Sequence, residues 1–160
     1  MSRVKKGGAV AVLLVATVGG AEGLRQKAYP DPATRGKPWT VCYGHTGPEV
    51  VPGYYRSLEE CKQILLQDLD KHAEPIEKCV PWLKTAPVGV YVGSVSLAVN
   101  IGSGGFCKSS IARKFNAGDY RGGCEAFMLY TRAAGITMPG LVRRRQAERH
   151  LCLQGLEKGE

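Results

Sequence analysis

Between Gly7 and Ala21 the chain reads GGAVAVLLVATVGGA, fifteen residues without a charge and the first long apolar run in the protein. A helix of that length reaches about 22 Å, short of the roughly 30 Å of a bilayer's hydrocarbon core. The run must bury its side chains, yet four of its residues are glycine. Three homes are open to it. It is a cleaved leader, with Arg3, Lys5 and Lys6 as the charged flank and Gly19 and Ala21 as the small residues before a cut at Glu22. It is a buried core helix, which its length permits. Or it is a marginal anchor, its positive flank on the cytoplasmic side, spanning weakly by snorkelling and able to leave the bilayer and fold onto the domain.

The run ends directly against Glu22, and the next stretch is dense in polar chemistry. In Ala21 to Thr46, AEGLRQKAYPDPATRGKPWTVCYGHT, two carboxylates, Glu22 and Asp31, stand nine positions apart, and Thr40 and His45 follow. Pro30, Pro32, Gly36 and Pro38 are turn-formers. Cleaving a glycosidic bond requires a proton donor to the leaving oxygen and a second carboxylate across the sugar. The donor must stay protonated near neutral pH, so its surroundings must raise its pKa. Glu22, set against an apolar helix, meets that demand. Asp31, in a proline-flanked turn, is the more exposed and ionised partner. Surface carboxylates are common, so the pair by itself does not define the chemistry.

At 160 residues the chain is long enough for one domain with its own core. The net charge of +8 suits a polyanionic partner such as a cell wall. Only Arg143 to Arg145 form a basic run, and there is neither zinc-finger spacing nor an RNA-binding aromatic signature, which argues against nucleic acid as the partner. Six cysteines, Cys42, Cys61, Cys79, Cys107, Cys124 and Cys152, include no CxxC pair, and three histidines form no ligand cluster. That excludes a zinc site. Three disulfides in an oxidising compartment fit the count, with buried reduced thiols as the alternative; the pairing stays open.

Thr40 to Tyr43 has the composition of a short strand in a strand-and-loop lobe. Ser57 and Glu60 form a capping box ahead of an apolar period that predicts a helix from about 58 to 79. His72 falls on its apolar face as a satisfied core histidine. Val88 to Ile101 has strand-like valines but places Val88, Val92, Val95 and Val99 on one helical face before Gly102, which predicts a helix. Gly102 to Gly105 reads as a connecting loop. Ile111 to Asn116 and Tyr120 to Arg132 read as short helices, the second capped by Asp119. Ala133 to Met138 reads as loop, and Pro139 opens a last helix to about 154. There Arg144 and Glu148 can pair at i,i+4, while Arg145 and Arg149 share a side, facing either solvent or substrate.

Four segments carry a resemblance. Glu22-Gly23-Leu24-Arg25 with Ala28-Tyr29-Pro30-Asp31 and Thr40-Val41-Cys42-Tyr43-Gly44-His45-Thr46 resembles the catalytic segment of phage lysozymes, the endolysin muramidases. Asn100 to Phe106 is similar to the family's NVGxGxF, Arg113 to Asp119 to its RKLNxGD, and Pro139 to Arg149 to its PGLVRRRxAE. The spacer from Pro32 to Trp39, eight residues, is longer than the family pattern and is expected to widen the turn beneath the cleft. Cys42 replaces a family glycine.

The resemblance implies an α+β, lysozyme-like fold, a small β lobe and a larger helical lobe joined by a long helix. It implies hydrolysis of the β-1,4 bond between N-acetylmuramic acid and N-acetylglucosamine in peptidoglycan, with Glu22 as general acid, Asp31 as base or electrostatic partner, and Thr40 holding water in an inverting scheme. His45, Asn100, Phe106 and Arg145 are the implied substrate-binding residues. No metal and no cofactor are implied, and the enzyme works as a monomer. Related endolysins with a signal-anchor-release segment carry cysteines at similar places, which implies the pairs Cys42–Cys61, Cys79–Cys107 and Cys124–Cys152. Residues 1–21 are then the anchor and 22–160 the muramidase domain. The protein is held inactive at the host inner membrane through residues 7–21, then active in the periplasm once a holin, acting indirectly, collapses the membrane potential. Cleavage would leave Glu22 at a frayed terminus, a poor place for a catalytic acid, so release is preferred to cleavage. Residues 1–21 contain no cysteine, which argues against control by a disulfide swap from the anchor and leaves steric and conformational control. A lytic transglycosylase, or a basic wall-binding protein without activity, is the alternative.

Overall fold

The computed structural model describes residues 1–32 and 35–159. Ala33 and Thr34, within the spacer expected to widen the turn, lie outside the described residues, as does Glu160. The apolar run forms helix α1, Gly8–Glu22. Strands β1 (Arg25–Pro30), β2 (Trp39–Cys42) and β3 (His45–Thr46) follow, and then helix α2, Leu58–Cys79. After a 3-10 turn at Pro81–Lys84 come α3 (Val88–Ile101), α4 (Ser103–Cys107), α5 (Ser110–Asn116) and α6 (Tyr120–Glu125). A second 3-10 turn, Ala126–Leu129, leads to the short strands β4 (Arg132–Ala133) and β5 (Ile136–Thr137), and α7, Pro139–Lys158, ends the described chain.

The architecture is α+β. The small lobe is an antiparallel sheet of order β1-β2-β3, with Pro30 opposite Trp39 and Thr40 opposite both Tyr29 and Thr46. Its own core is Ala28, Val41, Cys42, Val50 and Cys61. The Cys42–Cys61 disulfide ties β2 to the first turn of α2. Ser57 caps that helix by accepting from the Glu60 amide, which satisfies one of the first-turn donors.

The large lobe surrounds α3, a helix buried on nearly every side from Gly89 to Ala98. That all-round burial explains why its valine-rich sequence carries a weak periodic signal. The backbones of α3 and α7 meet closely: a Cβ at Gly89 would stand 2.2 Å from the Leu151 carbonyl oxygen, and one at Gly93 2.9 Å from that of Glu148. Of α1, Val10, Leu14 and Val18 enter the same core, so residues 1–21 are an integral layer of the folded unit. The opposite face of α1 stays apolar and exposed, with Val12 at 73%. Among the described residues no helix is long and apolar enough to cross a membrane.

Several boundaries differ from expectation. Gly102 to Gly105 is not a loop, because α4 forms around the buried Phe106 and the Cys79–Cys107 disulfide. The helix expected over Tyr120 to Arg132 ends at Glu125 and tightens into the 3-10 turn. Ala133 to Met138 is mostly a hairpin. Its turn residues Ala134 and Gly135 both take positive φ, 52° and 78°, the two-residue turn that matches strand twist. The last helix runs to Lys158.

The third disulfide, Cys124–Cys152, joins α6 to α7. Closing a 28-residue separation, as Cys79–Cys107 does, contributes about 3–4 kcal/mol through the unfolded chain's entropy. Replacing Cys79 and Cys107 together by serine is expected to reduce unfolding free energy by that order, measured by denaturant titration at constant slope.

Candidate active site

Glu22 is the last residue of α1, where Gly23 takes over with positive φ and its amide bonds the Gly19 carbonyl. Gly19 is buried, and a Cβ there would stand 3.2 Å from the Tyr43 ring. The glycine thus lets Tyr43 pack against the helix one turn before the carboxylate. Glu22 Oε1 accepts from Arg144 Nη1 at 3.0 Å. The Glu22 side chain is 33% exposed, and Glu22 as a whole is more exposed than Asp31, the reverse of the expected order.

Two open cavities meet at Glu22. One, of about 410 Å³, lies between α2 and the sheet and is walled by Val18, Tyr43, His45, Asp68 and His72. The other, of about 560 Å³, is lined by Glu22, Arg25, Tyr29 and Asp31. The carboxylates nine residues apart in sequence therefore face one hollow. Asp31 follows β1 directly and Thr40 lies on the adjoining β2, next to the Pro30–Trp39 pair. Thr40 is buried, and its hydroxyl donates to the Pro38 carbonyl at 3.4 Å.

Arg144 is a residue the sequence reading tied only to Glu148. It also reaches Glu22 and the Ser96 carbonyl, the latter at 3.2 Å. Glu148 beneath it is 1% exposed. It accepts from Ser96 Oγ at 2.6 Å, Arg145 Nη2 at 2.9 Å and Arg144 Nε at 3.3 Å. No sequence signal links Glu22 to Arg144, 122 positions away.

The expected substrate-binding residues fare differently. His45 borders the first hollow with both ring nitrogens engaged, whereas Asn100 lines neither hollow. Asn100 is exposed, but its Oδ1 accepts from Arg145 Nη1 at 2.7 Å. Phe106 and Arg145 are both 0% exposed. They cannot touch a substrate in this conformation: Phe106 anchors the core, and Arg145 neutralises Glu148. Arg149 pairs with Glu125 instead of sharing a face with a substrate-directed Arg145. His72 is not a satisfied core histidine. It borders the cleft, and its buried Nδ1 has no partner among the described residues. Burial pushes its pKa down, against the attraction of Asp68 and with the repulsion of Lys71.

His45 stands between two carboxylates, with Nδ1 2.7 Å from Asp68 Oδ2 and Nε2 2.8 Å from Glu49 Oε1. A neutral imidazole has only one N–H, so satisfying both contacts requires the imidazolium. Partial burial lowers its pKa, but hydrogen bonds to Glu49 and Asp68, with their charges, outweigh this and raise it. The bond from His45 in turn holds Glu49 below its ordinary value. A raised histidine pKa stabilises the fold fully below the unfolded value near 6.5 and loses that contribution as pH rises through the folded value. The Glu49 part acts the other way, present above the unfolded carboxylate pKa and lost as pH falls. The Tm difference between wild type and His45→Asn is therefore expected to be largest near pH 5.5 and smaller at pH 8.5, by scanning calorimetry at constant salt.

Among the described residues, no group of three or more His, Cys, Asp or Glu side chains is arranged to hold a metal ion. A two-lobed fold with paired carboxylates over a cleft defines a class, the lysozyme-type glycoside hydrolases. The family model for "Phage lysozyme" matches residues 19–148, and the chain belongs to that family. It is 38% identical over 155 residues to an SAR-endolysin of Bacteriophage PS119, covering 93% of this chain and 89% of that one. It is 37% identical to an SAR-endolysin of Enterobacteria phage P21, covering 93% and 90%. Among solved structures it is similar to a mutant P22 lysozyme, with a TM-score of 0.78 and 31% identity over 88% of this chain and 95% of that one. It is also similar to the active form of the P1 phage endolysin Lyz, with a TM-score of 0.70 and 28% identity over 93% and 85%.

Proposed function

We propose that this lysozyme cleaves the β-1,4 bond between N-acetylmuramic acid and N-acetylglucosamine in peptidoglycan, with Glu22 as general acid. The observation carrying this reading is that Glu22, at the end of α1 and gripped by Arg144, shares one hollow with Asp31. A glycan chain laid in the cleft would cover Glu22 and exclude water from it. Glu22 protonates the leaving oxygen, and Asp31 works from the far side as base or electrostatic partner. Thr40, on the strand beside Asp31, holds the attacking water once its hydroxyl turns from Pro38. His45 borders the bound sugars. The basic surface suits a wall rich in acidic groups.

The products test this. Purified wall digested by the protein is expected to yield muramic-acid reducing ends by mass spectrometry. Anhydro-muramyl ends would replace the reading with a lytic transglycosylase, which needs no Asp31. Binding with no new ends would leave a wall-binding protein.

The same reading extends to control. Residues 1–21 form a releasable anchor, and 22–160 carry the muramidase site. While residues 7–21 lie in the inner membrane, α1 is missing from the core and the hollow behind Glu22 has no wall. Leaving the bilayer, after a holin has acted, completes the site in the periplasm, where the enzyme acts as a monomer. The short, glycine-interrupted helix and the SAR-endolysin relatives support this. Fractionation is expected to give membrane-bound and soluble pools of equal mass. A soluble pool lighter by the leading segment would mean cleavage instead.

A further inference from the structure

We propose that Asp70, Glu77 and Tyr91 form a binding site for a cationic chain segment, filled in this conformation by residues 2–5, and that its occupation keeps α1 seated. The two acids project from α2 and are nearly buried, at 7% and 4% exposure. A buried carboxylate is costly unless it is paired and hydrogen-bonded, and the leading segment supplies most of the pairing. Ser2 Oγ donates to Asp70 Oδ1, and Lys5 Nζ lies 3.2 Å from Asp70 Oδ2. The Arg3 amide donates to Glu77 Oε1 at 2.8 Å, beside the Tyr91 hydroxyl at 2.7 Å.

The Arg3 side chain has its own socket. Its Nη1 donates to the Leu83 and Ala86 carbonyls, at 2.9 and 2.7 Å, and its guanidinium lies 4.6 Å from the Tyr91 ring centre. Val4 is buried between these polar anchors at 3%. The contacts are spread over α2, α3 and the turn between them, so the segment is read by a shaped site and not by surface charge alone.

The site sits where it can decide the position of α1. Gly7 and Gly8, both with positive φ, join the segment to the helix. Because α1 is apolar all round and leaves Val12 in water, packing alone rewards only one of its faces. The polar socket supplies a fixed register that an apolar stripe does not. The consequence for release rests on the anchor reading. With residues 7–21 in a bilayer, Arg3 and Lys5 lie on the opposite side from Asp70 and Glu77, and the socket is empty. Once they cross, the socket captures them and holds Glu22 in place.

Hydrogen exchange on the soluble full-length chain, without membrane or substrate, tests the socket independently of tethering and of catalysis. The paired changes Arg3→Ala with Lys5→Ala, and separately Asp70→Asn with Glu77→Gln, are each expected to speed exchange of the Val10 to Val18 amides about tenfold or more. Exchange in α5 and α7 stays at the wild-type rate and reports that the domain is folded. Unchanged α1 exchange in either variant, or acceleration spread evenly into α5 and α7, overturns the proposal.

Discussion

Glu22→Gln is expected to slow wall clearing by about 10³-fold, the middle of the range for loss of a general acid, with the fold intact. The amide keeps the size of the side chain and can still accept from Arg144. What it loses is the transferable proton. Stability changes little, because a partly exposed ion pair of this kind contributes at most about 1 kcal/mol. A turbidity assay on chloroform-treated Gram-negative cells, beside a thermal melt, separates the two effects. Near wild-type clearing would remove Glu22 from the chemistry. A large drop in Tm would mean that Glu22 acts by holding α1 against α7, and the rate loss would then say nothing about proton transfer.

Local signals survived folding where the determinants were local. The Ser57 cap and the apolar spacing after it delimit α2, whose bounds are Leu58–Cys79. Asp119 caps α6 through the Gly122 amide. The hairpin at Arg132 to Thr137 was invisible because Ala134 occupies a positive-φ position where asparagine or aspartate would have announced the turn. Helix α4 was hidden behind two glycines, since its cause is the burial of Phe106 and a disulfide to a residue 28 positions earlier. That Glu22 and Asp31 line one hollow agrees with the motifs around them, whereas their spacing alone pointed to no chemistry. The support of Glu22 was not legible: Arg144 meets Glu22 only because α7 packs across α3 beside the end of α1. Arg145 pointed to solvent or substrate on a helical wheel, and only the facing elements reveal that it is enclosed.

That enclosure sets up the largest expected stability effect. Arg145 and Glu148 are 0% and 1% exposed. Arg145 Nε and Glu148 Oε2 lie 2.6 Å apart without the geometry of a directional hydrogen bond, so their attraction there is Coulombic. The neighbouring Nη2 makes the directional bond to Oε1 at 2.9 Å. Arg145→Ala leaves the Glu148 charge buried with Ser96 and the longer Arg144 contact, and opens a cavity besides. Breaking a buried pair from one side costs about 3–5 kcal/mol, and denaturant unfolding is expected to show a loss of that size. Arg145→Met with Glu148→Leu removes both charges at similar volume and is expected to recover most of it. The double variant should still clear walls slowly, because Glu148 no longer holds Arg144 Nε and Arg144 no longer holds Glu22 in one place. A single variant that costs under about 1 kcal/mol would mean that solvent reaches the pair. A stable double variant with full activity would mean that Arg144 holds Glu22 without help from the buried carboxylate.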